Sequence, residues 1–323
     1  MSVVSLGQQP ASSRGCESRL SEKSDLLKTC DLSILSNATK SCILDYIRLY
    51  SPAFGRSLAR AIDLCAKAFT ARLAIAHIYN LDDIKEAAKP LHDRQHCNVI
   101  TIGVGDDIEA EKQLRLRVPS CRFYGADPIE ETGQVYARIG RYVPAAISDH
   151  DGELNASIKT ESNQYIDQTV KSISLSTFLR LINISIIDYM FMDAEGSEYK
   201  ILSFITNHDE FMNGSFTICQ IAVEVHGDLK DYGMDHKKFQ NWVEHWLENG
   251  PFVPIWQRYG RHMHLFLINT SDQYCVDKYF DVVCSDNVVD EWRVMTRKPV
   301  KKRVPHFPAV RKRHDVTLLN KKL

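Results

Sequence analysis

"YMFMDAEGSEYKIL" occupies residues 189–202, and its reading decides the fold. Tyr189, Met190, Phe191 and Met192 form an apolar run without alternation, as expected of a strand buried on both faces. The run stops at Asp193, and Glu195, Gly196 and Glu198 follow directly. "SEYKILSFIT" (197–206) then reads as a helix. A doubly covered strand that passes through a polar turn into a helix is half of the crossover that parallel strands need.

The same texture recurs on both sides. "CNVITIGVG" (97–105) is a short strand run ending in glycines, and "IEAEKQLRLRV" (108–118) is helical. "CRFYGADP" (121–128) is a strand ending in Asp-Pro, followed by helical "IEETGQVYARIG" (129–140) and strand-like "RYVPAAIS" (141–148). "SLSTFLRLIN" (174–183) is a helix with Ser174 or Ser176 as N-cap. "FTICQIAVEVHG" (216–227) is a strand, and "HKKFQNWVEHWLENG" (236–250) is a helix with Phe239, Trp242, Val243, Trp246 and Leu247 on one face. "FVPIWQRYG" and "RHMHLFLIN" (252–260 and 261–269) form a terminal antiparallel hairpin. This alternation predicts an α/β fold, a mostly parallel sheet with helices on both faces. Ligands of such sheets bind outside the carboxyl ends of the strands, near the point where strand order reverses. The polar clusters Gly103–Asp107, Gly125–Pro128, Asp193–Glu198 and Glu224–Asp228 all stand at such ends.

The flanks differ from this core. Residues 1–23 are rich in Ser, Gln and charge and are expected to be disordered. Residues 24–92 read as a helical extension or cap, with Leu58, Ile62, Leu64, Cys65, Ala68 and Phe69 at helical spacing. Residues 93–296 form the main domain. From Arg297 to Leu323 there are ten Lys/Arg and one Asp, so the remainder carries 30 basic against 40 acidic residues. That tail (297–323) reads as a nuclear import signal, an arm for nucleic acid or an acidic surface, or a solvated terminus.

The chain has 323 residues, 44% hydrophobic and 25% charged, which suits one large domain with an extension. Its longest apolar runs are strand-sized, so no membrane span is expected, and the first residues have no apolar leader core. Nine cysteines, an odd number without a CxxC pair, argue against disulfides and a zinc cluster and for the reducing cytoplasm. Five Asn-x-Ser/Thr triplets, at Asn37, Asn155, Asn183, Asn213 and Asn269, are then read as coincidental.

Gly103 and Gly105 would let the backbone turn tightly beside a ligand. The dinucleotide pattern fails at Ile108, and Asp106 and Asp107 would repel a pyrophosphate, so a nucleoside without phosphates fits better. Asp127 ends the second strand, where an acid can bind ribose hydroxyls or cap the next helix. Ala146 and Ser148 leave room for a flat ring at the third strand, or make an ordinary turn. Asp193 would bind a ligand's amino end or a substrate hydroxyl. Glu195 and Glu224 would face the substrate, and Glu198 would favour the helix dipole. His226 is a candidate general base, having an ordinary pKa near neutrality, while His262 and His264 read as packing or surface residues. No metal is expected, because no nearby histidine or third acid completes a ligand set with Asp193 and Glu195.

These segments, "NVITIGVG", "FYGADP", "VPAAISDHDGEL", "IDYMFMDAEGSEYKIL" and "QIAVEVHG", together resemble the FkbM-type methyltransferase domain. The most specific element is D-x-E-G-x-E at Asp193, Glu195, Gly196 and Glu198, and the match covers about residues 96–270. The whole-chain arrangement is similar to a group of nematode proteins with this domain. The resemblance implies a Rossmann-like seven-stranded sheet with a reversed final hairpin. It implies S-adenosylmethionine as cofactor, held at Gly103 and Gly105, with its ribose at Asp127 and its adenine near Ala146 and Ser148; Asp193, Asp106 or Asp107 would hold its amino group. It implies methyl transfer to a hydroxyl of a small molecule or sugar. The family's first-strand acid is Thr101 here, and Asp107 takes the third glycine's place. A catalytically degenerate module binding through its helical cap or tail is the alternative.

Overall fold

The computed structural model describes residues 32–49, 54–81, 83–92, 96–159, 165–207, 209–226 and 235–280. The expected disordered start and the basic tail lie outside the described residues. Helices α1 (Leu32–Leu49) and α2 (Phe54–Cys65) and the single turn α3 (Lys67–Thr70) come first. β1 (Ile75–Tyr79) and β2 (Ile84–Ala88) then pair antiparallel, so the helical reading of 24–92 fails beyond residue 70. Ile75, His77 and Tyr79 alternate with buried Ala76 and Ile78, a period-two pattern hidden among alanines. Tertiary contacts outweigh the helix propensity of "IKEAA". The Ala88 N–H donates to Gln220 Oε1 at 2.7 Å, and the Tyr189 hydroxyl donates to the Ala88 carbonyl at 2.9 Å.

The main domain continues with β3 (Cys97–Ile102), α4 (Glu109–Arg117), β4 (Cys121–Asp127) and the short α5 (Glu130–Gly133). β5 (Arg141–Pro144), β6 (Ala146–Ser148), β7 (Gly152–Lys159), β8 (Tyr165–Ser174) and α6 (Leu175–Ile182) follow. Then come β9 (Ile186–Ile187), β10 (Tyr189–Met192), α7 (Glu198–Asn207), α8 (Asp209–Met212), β11 (Thr217–Ile218) and β12 (Gln220–Val225). The domain closes with α9 (His236–Asn249), β13 (Phe252–Tyr259), β14 (Met263–Asn269) and α10 (Gln273–Tyr279). Seven strands form one sheet in the order β13-β14-β12-β10-β3-β4-β5. The five from β12 to β5 run parallel, and β14 and β13 are antiparallel. This is the expected Rossmann-like sheet with its reversed hairpin. The "RYVPAAIS" run divides at Ala145: β5 joins this sheet, whereas β6 joins a three-stranded side sheet with β8 and β7.

α6 begins as expected at Ser174, whose side chain accepts the Thr177 N–H, and stops at Asn183 in the left-handed region (φ 58°). A single apolar core runs from Leu35, Leu58 and Phe69 in the N-terminal part to Phe191, Val223 and Leu267 in the sheet. The described N-terminal helices therefore belong to the packed body of the domain.

All six cysteines among the described residues form disulfides, which overturns the reading of free thiols: Cys42–Cys65, Cys97–Cys121 and Cys219–Cys275. Their sequence separations of 23, 24 and 56 carry no motif, because the fold makes the pairs. Cys97 and Cys121, for example, stand opposite each other where β3 meets β4. No described helix is long and apolar enough to cross a membrane.

Candidate active site

The chain enters the sheet at β3, winds outward to β5, and returns to β10 on the other side of β3. The strand order reverses there, and the two most polar turns meet. The Asp193 N–H donates to the Ile102 carbonyl at 2.9 Å. Gly103 has φ +76°, and a Cβ on it would lie 1.6 Å from the Asp193 carbonyl oxygen. Gly103 is thus demanded by the neighbouring turn. Gly105 also has φ +60°, but a Cβ there would meet nothing within 4 Å, so space opens beside it.

Asp127 caps this opening. One carboxylate oxygen accepts the Gly105 N–H at 3.0 Å and the other accepts the Ile129 N–H at 2.8 Å. The bond to Ile129 ties the turn that leads into α5, although the helix itself starts one residue beyond Ile129 and takes no side-chain cap. Burial raises its pKa, against the pull of the N–H groups of Gly105, Ile129 and Val104. Ser148 is fully buried, and its hydroxyl donates to Asp149. Ala146 and Ser148 are tied by β6 into the side sheet, which packs against α7 and β4.

The turn after β10 is held by Glu198. This fully buried carboxylate accepts the N–H of Ala194 at 2.7 Å and of Gly196 at 2.8 Å. It also meets His226 Nδ1 at 3.0 Å, a clasp that the helix-dipole reading missed. The clasp holds Glu195 at φ 46° and Gly196 at φ 100°, two successive left-handed residues. A non-glycine residue there costs about 1–2 kcal/mol.

His226 does not have the state expected of a base. Its Nε2 lies 3.1 Å from Glu195 Oε2 and 3.7 Å from Asp193 Oδ1. Burial alone would lower its pKa, but the hydrogen bonds to Glu195 and Glu198 outweigh it and raise it to about 11. Both ring nitrogens face carboxylates, Nδ1 that of Glu198 and Nε2 that of Glu195, which favours the imidazolium. Proton-accepting character moves to its neighbours. Burial and then the charge of Glu224 push Asp193 up to about 8, against His226. Burial and then the charge of Asp83 push Glu224 up to about 7. Asp193 Oδ1 is buried without a hydrogen-bond partner among the described residues, although the side chain as a whole is 40% exposed.

Other residues enter this basin without having been anticipated. His262 packs against His226 with ring centroids 4.5 Å apart and planes tilted by 51°, and His264 Nδ1 lies 3.1 Å from Asp83. His262 thus packs, as the sequence suggested, while His264 adds an ion pair to its packing. Asp83, from the turn between β1 and β2, also pairs with Arg258 at 2.7 Å. Beneath, the Thr101 hydroxyl donates to Glu111 at 2.9 Å and lies 2.9 Å from the Tyr136 hydroxyl. Lys85 Nζ lies 3.5 Å from Glu111, whose second oxygen is buried without a partner among the described residues. Burial alone would lower the Lys85 pKa, but the charges of Glu111, Asp83 and Asp193 outweigh it and raise it. The i, i+10 spacing of Thr101 and Glu111 bridges a strand and a helix and gives no periodic signal.

The ground for expecting no metal also changes. Asp193, Glu195 and His226 bring ligand atoms within 4.8 Å of one another, as do Glu224, His226 and His262, and Asp83, Glu224 and His264. These sets converge from separate strand ends, so helical spacing could not reveal them. A separate open cleft, lined by His96, Asn98, Arg122, Tyr124 and Asn183, lies at the opposite, amino-terminal end of the strands.

The "Methyltransferase FkbM domain" family model matches residues 53–250. The match starts at α2, earlier than the resemblance had suggested, in keeping with the continuous core. Among solved structures, the METTL16 methyltransferase domain shares 11% identity over 56% of this chain and 63% of its own, with a TM-score of 0.35. This chain thus spans just under two thirds of that structure. Fibrillarin from Methanococcus jannaschii shares 10% identity over 62% of this chain and 99% of its own, with a TM-score of 0.33. Aeropyrum pernix fibrillarin, solved with natively bound S-adenosyl-L-methionine, shares 9% over 55% and 69%, with a TM-score of 0.30. No curated protein sequence matches the chain, so the nematode likeness stays an expectation.

Proposed function

We propose, from the premise that this chain belongs to the FkbM methyltransferase family, that it moves a methyl group from S-adenosylmethionine to a hydroxyl of a small molecule or sugar. The observation that carries this reading is the meeting of the Gly103 and Asp193 turns at the point where strand order reverses. The residues present fit the cofactor. Asp127 has lone pairs for ribose hydroxyls beside the open space at Gly105, and the buried Oδ1 of Asp193 lacks a donor that an amino group would supply. Glu111, brought to Thr101 from α4, supplies a carboxylate where the family's first-strand acid is missing. Ala146 and Ser148 would border the adenine.

Bound S-adenosylmethionine supplies an electrophilic methyl group on a sulfonium. Asp193, ionised above about pH 8, takes the proton of the acceptor hydroxyl, with Glu224 as its relay neighbour. His226 holds Glu195 and Glu198 in place and keeps positive charge beside Asp193. Glu195 and Glu224 orient the acceptor at the rim. Rate depends chiefly on this positioning.

Calorimetry tests the reading. Both S-adenosylmethionine and its demethylated product should give binding heat, and Asp127→Ala should weaken it at least tenfold. No heat with either ligand overturns cofactor use. Binding without label transfer from methyl-labelled cofactor to a panel of sugars and alcohols would favour the degenerate module, for which Thr101 in the acid's place is the specific observation.

A further inference from the structure

Two features of the molecule stand apart from the methyl-transfer site and point the same way. The first is the set of three disulfides among the described residues, with Cα separations of 5.9, 4.2 and 5.2 Å. Cys97 and Cys219 stand at the amino ends of β3 and β12, across the sheet from the carboxylates, so they have no part in the site's chemistry. Cys97, Cys219 and Cys275 are buried within the core, where thiol exchange is excluded. Stable pairs of this kind form and persist in oxidising compartments, while the cytosol keeps thiols reduced.

The second is where the fold puts the five Asn-x-Ser/Thr triplets. Asn37, Asn155, Asn183 and Asn213 are exposed. Asn37 sits on the open face of α1, and Asn155 lies on β7, the edge strand of the side sheet. Asn183 ends α6 in a left-handed turn. Asn213 Oδ1 accepts both the N–H of Ser215 at 3.0 Å and its hydroxyl at 2.7 Å, a turn that brings the hydroxyl of the triplet onto its own amide. Asn183 and Asn213 precede β9–β10 and β11–β12, and so lie toward the sheet end opposite the candidate active site. Asn269 is the contrast. It is 5% exposed, donates to the Ile218 carbonyl and accepts from the N–H groups of Ser271 and Asp272.

We propose that Asn37, Asn155, Asn183 and Asn213 are N-glycan acceptor sites, on a domain that matures in an oxidising lumen where its three cysteine pairs close. This replaces the cytoplasmic expectation drawn from cysteine spacing. At each site the amide Nδ2 bonds to the anomeric carbon of a diphosphate-linked oligosaccharide. The carbon–oxygen bond to the diphosphate breaks, and one Nδ2 proton is released. At each cysteine pair two thiols give two protons and two electrons to a disulfide-bearing oxidoreductase, which becomes a dithiol. Asn269 stays bare in the folded molecule, because both ends of its amide hold backbone groups.

The test uses the full-length protein from the cells that make it. One portion is treated with peptide N-glycosidase in heavy-oxygen water and mapped by mass spectrometry. Another is denatured without reductant and exposed to a thiol alkylator. The expected result is heavy aspartate at positions 37, 155, 183 and 213, unchanged Asn269, and six cysteines alkylated only after reduction. Bare asparagine at all four positions, or alkylation of the six cysteines before reduction, overturns the proposal. Both readouts are independent of methyl transfer.

Discussion

His226 shows how neighbours redefine a side chain. A histidine at a strand end has an ordinary pKa suited to base catalysis, but this one is raised to about 11 by Glu195 and Glu198. The two carboxylates nearby titrate closer to neutrality, Asp193 at about 8 and Glu224 at about 7. Methyl transfer should therefore rise with pH on a limb near these values, measured as kcat/KM across a buffer series. Asp193→Asn should lower kcat by about 10²–10⁴ and remove that limb. His226→Gln should keep the limb but move it to higher pH, because the His226 charge holds both carboxyls down, while also weakening the turn. Stability moves as well. The raised pKa of His226 means that its contribution is complete below pH 6.5 and is lost as pH climbs toward about 11. Urea melts should show His226→Gln costing more in mildly acidic than in strongly alkaline buffer. Asp193 follows the same sign: its contribution is complete below about pH 4, where the unfolded chain also holds the proton, and is lost as pH climbs from there through about 8. Asp193→Asn should be slowed yet more stable than the parent in neutral and alkaline buffer.

The turn after β10 and the turn after β3 act as one unit, because Gly103 packs on the Asp193 carbonyl. Gly103→Ala forces a Cβ into that oxygen at φ +76° and should destabilise by about 3 kcal/mol or more, by analogy with other strained core changes. Gly105→Ala has open space and only the left-handed cost, about 1–2 kcal/mol. Denaturant midpoints of the two variants check the contrast. The βα units were readable from their unbroken apolar runs and polar ends. The β1–β2 hairpin was not, because "IKEAA" suits a helix and only docking against Gln220 and Tyr189 makes it a strand. Asp83 and Lys85 reach the site on that hairpin, so misreading one element hid two of its charged groups.

The disulfides join α1 to α2, β3 to β4, and the start of β12 to the C-terminal α10. Loops of 23 and 24 residues imply about 3 kcal/mol each, and the 56-residue loop about 4 kcal/mol, through a less free unfolded chain. Thermal melts with and without reductant should show a lower Tm after reduction, with the family sheet retained by circular dichroism at low temperature. Exposure of four asparagine triplets and burial of the fifth are likewise properties of the folded shape.

Sequence alone determined the parallel α/β sheet, its terminal hairpin, the strand-end position of the chemistry and the FkbM family, because strand burial and turn chemistry are local or periodic. Tertiary structure decided the charge state of His226, the pairing of Glu111 with Thr101, the convergence of Asp83, Glu224 and three histidines, and the cysteine pairs. Those depend on groups far apart in the chain that meet at a few ångströms, where burial and neighbouring charge set each proton and no spacing rule applies.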